Sequence, residues 1–336
     1  MIIVRAPLRI SFVGGGTDLP DFYTQSPGRV LSAAINKYVY VSIKRSPLIA
    51  GIHVRYSQSE HVLNPQDLKN DRVREALLAT GVTDHVEIAM FSDFPGNTGL
   101  GSSSSFSVAL MKGLRLCRGE IADAHTVAQD AVTLEIDVLK EPIGKQDHYA
   151  SAFGGVNVIQ FNPDHSVEVD PLHLDYRHLI GLENHLLLFF TGIRREAKTV
   201  LSEQRANIPL TFVTLKQMAA MVTPFKEALE HGDFKALGDI LKEGWGLKRS
   251  LASGVSNPAI DHLYEAGIQA GAWGGKLLGA GGGGCLLFIA DPQKHEAIRA
   301  AVAKTATAQG LKEFIEVPVR FVHSGVETLL NSETHL

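Results

Sequence analysis

The chain is poor in cysteine: of its 336 residues only Cys117 and Cys285 are cysteines. Two thiols build no disulfide framework, so a reducing compartment is expected, with Cys117 in a helix and Cys285 in a strand as buried thiols. Long apolar runs are absent too. No stretch approaches the ~20 residues that cross a bilayer, and Leu186 to Phe190 reads as a core strand. Residues Met1 to Arg5 lack the layout of a signal peptide. A cytoplasmic protein with no membrane partner is the expectation. A basic surplus is also missing: 32 Lys and Arg stand against 36 Asp and Glu, a formal charge of −4, which gives no reason to expect nucleic acid. The 14 histidines are scattered without H-E-x-x-H or a Cys/His cluster, so zinc is not expected. No repeat period appears, and no low-complexity linker separates the halves.

What is present suits an α/β or α+β protein: 45% hydrophobic and 20% charged residues with 32 glycines. The length favours two lobes, divided here into 1–171 and 172–336 with a tight interface and the active site in the cleft. Apolar spacing predicts short strands at Ile2 to Val4 and Arg9 to Val13, a strand at His85 to Phe94 and a helix from Phe106 to Leu116. A longer helix is predicted over Ala122 to Leu139. In the second half a strand (Leu186 to Thr191) precedes helices near Arg194 to Ala206, Phe212 to His231, Asp233 to Ser253 and Pro258 to Ala270. The end alternates strand (Cys285 to Ala290), helix (Pro292 to Gln309) and strand (Glu313 to Val322), as in a ferredoxin-like lobe.

Four segments carry chemistry. Pro95 to Ser105, a glycine-rich turn entering a helix behind a block of serines, offers free backbone N–H groups, hydroxyls and a positive helix end, which favour a phosphate. Taken alone it could equally be a plain turn. It is no Walker loop, because Ser102 stands where that pattern has Lys. Gly279 to Gly284 satisfies G-x-G-x-x-G, yet the strand-like Cys285 to Ala290 follows where a dinucleotide fold needs a helix. Either the run is a mobile turn, or its backbone closely approaches a ligand or the first loop. Gly14-Gly15-Gly16-Thr17-Asp18 supplies tight turns plus a hydroxyl and a carboxylate suited to sugar hydroxyls; the alternative is a loop ending in a helix cap at Asp18. Last, Glu135 near a helix end and Asp147 in the loop beyond form a carboxylate pair able to hold a metal and take up a proton.

Together these segments resemble the GHMP kinase superfamily over nearly the whole chain. Its first motif matches Ala6 to Asp18, its second Pro95 to Ser104 and its third Lys276 to Cys285. The resemblance implies a two-lobed fold with a ribosomal-protein-S5-like N-terminal lobe and a ferredoxin-like C-terminal lobe. The glycine form of the first motif is similar to the branch with heptose 7-phosphate kinases and fucokinase-type enzymes. It implies ATP-dependent phosphorylation of an anomeric hydroxyl, making a heptose 1,7-bisphosphate for GDP-heptose and surface polysaccharide synthesis. An unphosphorylated sugar such as fucose or galactose is the second reading. A non-catalytic sugar and ATP sensor and a Rossmann-type oxidoreductase are rivals from other classes.

By the same resemblance, Pro95, Gly96, Gly99, Leu100, Gly101, Ser102, Ser103 and Ser104 bind ATP. Ser103 and Glu135 hold Mg²⁺, with Ser102 or Ser104 as alternatives in the serine run. Asp147 is the base or orients the nucleophile, Arg9 faces it, and Gly15, Gly16, Thr17 and Asp18 bind the sugar. Arg194, Arg195 and Lys198 form a cationic candidate for the sugar's phosphate, unless they are a solvated first turn of helix. His148 either touches the sugar or is a plain loop histidine. The expected partners are ATP and a sugar phosphate, with a homodimer as the option for self-association.

Overall fold

In the computed structural model, which describes residues 1–194 and 197–332, strand β1 (Ile2–Val13) runs unbroken through Pro7. The sequence pattern suggested two short strands there. A register shift against its neighbour between Pro7 and Leu8 absorbs the proline. A short helix α1 (Pro20–Tyr23) leads to the long strand β2 (Gly28–Arg45). The hairpin β3 (Ile52–Arg55) and β4 (Ser59–Val62), helix α2 (Asp71–Thr80) and strand β5 (Val86–Ser92) follow. Next come helices α3 (Ser102–Cys117), α4 (Ala124–Val132) and α5 (Gln146–Phe153), then strands β6 (Val156–Phe161) and β7 (Val167–Pro171).

β2 is long enough to serve two neighbours on one edge, pairing with β6 over Gly28–Ala33 and with β5 over Val39–Arg45. Its other edge lies along β1, and the result is an eight-stranded sheet. Helix α3 packs on β1 and β2 with its apolar face, including Val108, Leu110 and Leu114, fully buried. Each such side chain contributes about 1.5–3 kcal/mol on burial. Gly113 permits the close approach, since a Cβ there would meet Ile43 Cδ1 at 2.8 Å.

The second half holds α6 (Tyr176–His185), β8 (Leu186–Phe190), α7 (Ala197–Ala220), α8 (Val222–His231), α9 (Phe234–Arg249), α10 (Pro258–Gln269), β9 (Ala272–Leu277), β10 (Cys285–Ala290), α11 (His295–Ala308) and β11 (Ile315–Glu316). Its four-stranded antiparallel sheet has the order β11-β8-β10-β9, the fourth, first, third and second strands of this half, which suits a ferredoxin-like lobe. The chain then crosses back. β12 (Glu327–Asn331) pairs with Ile2 to Arg5, so the final strand closes the edge of the first sheet.

Two helices depart from the sequence pattern. α7 continues through Pro209, where the pattern suggested a break between two helices. The segment predicted over Ala122 to Leu139 ends its regular α-helix at Val132 and continues as a π-helical turn, Thr133–Val138. The wider turn buries the consecutive residues Leu134 and Glu135. Such turns commonly mark functional sites.

Candidate active site

The two halves enclose a cleft of about 380 Å³, floored by the start of α3 and the loop before it. Gly99 and Gly101 have positive φ, 81° and 78°, and Gly101 caps α3. The first helical backbone bond runs from Ser105 N–H to Gly101 O. The amides of Ser102, Ser103 and Ser104 therefore have no partner within the helix and present its positive end. The second glycine run lies directly against this loop. Cys285 N–H donates to Thr98 O, and a Cβ on Gly279 would fall 2.4 Å from Gly99 Cα. Backbone contact with the first loop is thus its structural role, as one of the two sequence readings had it. Gly99, Gly101, Ser102, Ser103 and Ser104 line the cleft, joined by Asn97 and Thr98, which the sequence pattern missed. Pro95 and Gly96 are exposed and lie outside it. Leu100 is fully buried, and its carbonyl accepts the Arg9 amide.

Beside the helix start stands the Arg9–Asp147 pair. Arg9 Nε and NH2 donate to the two Asp147 carboxylate oxygens at 2.7 and 2.6 Å, and NH1 donates to Gly99 O at 2.7 Å. Arg9 is 3% exposed, whereas the Asp147 side chain keeps 23% of its surface open. Such bidentate geometry fixes the orientation of the carboxylate. Asp147 lies in the first turn of α5 and not in a loop. Pro7 O locks α3 and α5 at this distance by accepting from both Ser105 and Ser151 hydroxyls, 2.9 Å each.

Gly15, Gly16 and Asp18 also line the cleft. Asp18 is 2% exposed and accepts from Gly16 N–H, Gln146 N–H and Gln146 Nε2, each at 3.1 Å. Burial, with the nearby Asp147 charge, raises its pKa above the ordinary aspartate value. Asp18 therefore ties the glycine loop to the start of α5 and so positions Asp147. Thr17 is a correction. It is fully buried, its hydroxyl proton lies between Gly14 O and Arg29 O, its oxygen accepts from Arg29 N–H, and it does not reach the cleft. Gly144 makes the tie possible, because a Cβ there would sit 2.0 Å from Asp18 Oδ2. Gly144→Ala is expected to lower stability by about 1–3 kcal/mol and to raise the acceptor KM; a thermal melt and acceptor saturation curves check both.

Glu135 is fully buried under the serine run. Oε1 accepts from Arg72 Nε (2.7 Å), Ser107 (2.8 Å) and Ser103 (3.3 Å), and Oε2 faces Ser104 (3.0 Å) and His148 Nε2 (2.7 Å). Burial alone would raise its pKa. The hydrogen bond and field of His148, with Arg72, outweigh that and hold the carboxyl well below the usual range. The Mg²⁺ expected on Ser103 and Glu135 does not fit this arrangement: Ser103 is open to the cleft, but both oxygens of Glu135 are engaged and inaccessible. His148 faces the core, neither touching the cleft nor lying in a loop, because successive helical residues project about 100° apart.

The proposed cationic run also moves. Arg194 pairs with Glu313 at 2.7 Å away from the cleft, and Arg195 lies outside the described residues. Lys198 does line the cleft, but it pairs with the buried Glu141 at 2.8 Å. Cations missed in the sequence take their place. Arg72, Lys248 and Lys276 line the cleft, with Gln146. Their helices and strand lie far apart in the chain, and only motif-adjacent Lys276 carried a sequence signal.

Family models for the GHMP kinases N terminal domain and the GHMP kinases C terminal region match residues 70–155 and 225–308. The chain belongs to the GHMP kinase family. It is an ATP-dependent sugar kinase of that family. The chain is 32% identical over 325 residues to D-glycero-alpha-D-manno-heptose 7-phosphate kinase of Campylobacter jejuni, covering 90% of this chain and 93% of that protein. It is 29% identical over 325 residues to a bifunctional fucokinase/GDP-fucose pyrophosphorylase of Arabidopsis thaliana, of which it spans 30%. The crystal structure of a D-glycero-D-manno-heptose 1-phosphate kinase from Bacteroides thetaiotaomicron shares the fold of this kinase with a TM-score of 0.80 at 23% identity, covering 99% and 100% of the two chains. Among the described residues no helix is long and apolar enough to cross a membrane.

Proposed function

We propose that this kinase transfers the γ-phosphoryl group of ATP to the anomeric hydroxyl of D-glycero-D-manno-heptose 7-phosphate. The observation that carries the reading is the Arg9–Asp147 pair standing between the open start of α3 and the glycine loop Gly14 to Asp18. Phosphoryl transfer is mostly positioning and charge neutralisation. The free amides of Ser102 to Ser104 hold phosphate oxygens of ATP. Asp147 accepts the hydrogen bond of the sugar hydroxyl on lone pairs that Arg9 leaves open and aims its oxygen at the phosphorus. It takes the hydroxyl proton as the new O–P bond forms and the bond to the leaving ADP breaks. Arg9 neutralises charge as the oxygen attacks. Gly15 and Gly16 place no side chains in the acceptor space, which suits a sugar larger than a hexose, and the Campylobacter jejuni relative bears a heptose 7-phosphate name.

A second reading, a kinase of free sugar, is favoured by one observation: Arg194 and Lys198 are both paired with carboxylates and offer no phosphate pocket. ATP consumption against mannoheptose 7-phosphate, mannose 6-phosphate, mannose, fucose, galactose and mevalonate separates the two. Turnover confined to the phosphorylated sugars is the expected result. Turnover on fucose or another free sugar would move the assignment to the second reading.

A further inference from the structure

The cleft contains two buried ammonium groups for which phosphate-loop chemistry has no use. Lys248, near the end of α9, donates to Leu277 O and Gly279 O. Lys276, in β9, donates to Ser11 O at 2.9 Å and Phe12 O at 2.7 Å. They are 8% and 7% exposed, and both border the cleft. Among the described residues neither forms an ion pair; their hydrogen-bond acceptors are backbone carbonyls, and the Trp245 ring centroid lies 5.9 Å from Lys248 Nζ. An ammonium has three N–H donors. With two held by carbonyls, each lysine in its charged form retains one for a ligand, and an anion bound there would favour that form.

Burial of two unpaired cations beside Arg9 is unfavourable. Desolvation, and the repulsion of Lys276 and Arg9, push Lys248 well below the ordinary lysine value, and desolvation with Arg9 pushes Lys276 down to about 7. A buried charge normally has a counterion. The missing partner is therefore an anion that arrives from the cleft.

We infer that Lys248 and Lys276 form the subsite for the phosphate ester carried by the acceptor sugar. The inference rests on the proposed acceptor being a sugar phosphate. Position places Lys276 on the acceptor side, while Lys248 also reaches Gly279, which packs on Gly99 of the first loop. The Ser11 carbonyl that holds Lys276 belongs to the residue whose hydroxyl donates to Gln146 Oε1, and Gln146 in turn holds Asp18. Leu251, three residues beyond Lys248, lies by the glycine loop, where a Cβ on Gly16 would meet its Cδ1 at 3.9 Å. Lys276 thus sits on the acceptor side of Arg9 and Lys248 between it and the first loop, while the amides of Ser102 to Ser104 serve ATP.

The test compares kcat/KM for D-glycero-D-manno-heptose 7-phosphate and for the dephosphorylated heptose in wild type, Lys276→Met and Lys248→Met. The expected result is a wild-type preference for the phosphorylated sugar over the free heptose that each variant reduces about 100-fold. If wild type shows no preference, the sugar-phosphate reading fails and takes this subsite with it. A wild-type preference that the variants retain would overturn the lysine assignment alone. Equal losses on both sugars would overturn it too, and would assign the pair to the phosphoryl group in transfer. A measurement on wild type needs no variant to fold. The ³¹P shift of the bound 7-phosphate is expected to hold the dianion to below pH 5, whereas a free ester titrates near about 6; a bound ester that titrates like the free one would also refute the assignment.

Discussion

Asp147→Asn is expected to leave ATP binding intact and to lower turnover by about 10²- to 10⁴-fold. The substitution keeps the side-chain shape and removes its charge. An amide NH₂ then faces the Arg9 guanidinium, which in the native pair donates to both carboxylate oxygens. The remaining carbonyl oxygen is a single neutral acceptor, and the arginine loses the partner that holds it against Gly99 O. Both the aim of the attacking hydroxyl and the placement of the cation suffer. Rapid-quench turnover with nucleotide-binding titrations checks the claim. Near-wild-type turnover would remove Asp147 from the mechanism.

Glu135→Gln is expected to cost about 3–5 kcal/mol of stability, read from the urea midpoint. The native carboxylate collects Arg72, His148 and three serine hydroxyls in a fully buried position. Glutamine leaves the Arg72 charge without its carboxylate at this point and turns an NH₂ toward groups that themselves donate. The pH dependence has a definite sign. The folded pKa lies below the ordinary glutamate value of 4.5, so the stabilisation is complete above that pH and is lost as the pH falls through the folded value. Wild type should therefore lose stability in acid more steeply than the variant. A variant of unchanged stability that instead requires more Mg²⁺ would return Glu135 to the metal.

Three glycine-rich segments announced the family because each is a local demand on the backbone. Gly101 must turn with positive φ to cap α3, and Gly279 must touch Gly99 without a side chain between them. Such constraints are written in residue type at one place in the chain. The Arg9–Asp147 pair was legible only through those motifs, since the two residues are 138 positions apart. Thr17 and Glu135 were misread for one reason. A hydroxyl and a carboxylate beside a motif look available in sequence, while burial decides which of them still has an open lone pair.

By itself, the sequence determined the family, the glycine-rich turn before α3 and part of the order of strands and helices, without β2, β6, β9 or β12, because turns, caps and apolar periodicity are short-range properties. The tertiary structure alone decided which cations lack a carboxylate partner at the cleft. Arg194 turned to Glu313 and Lys198 to Glu141, whereas Lys248 and Lys276, on separate elements, converged beside Arg9. A side chain's charge belongs to its residue. Its availability depends on what the fold packs around it, and those neighbours come from every part of the chain.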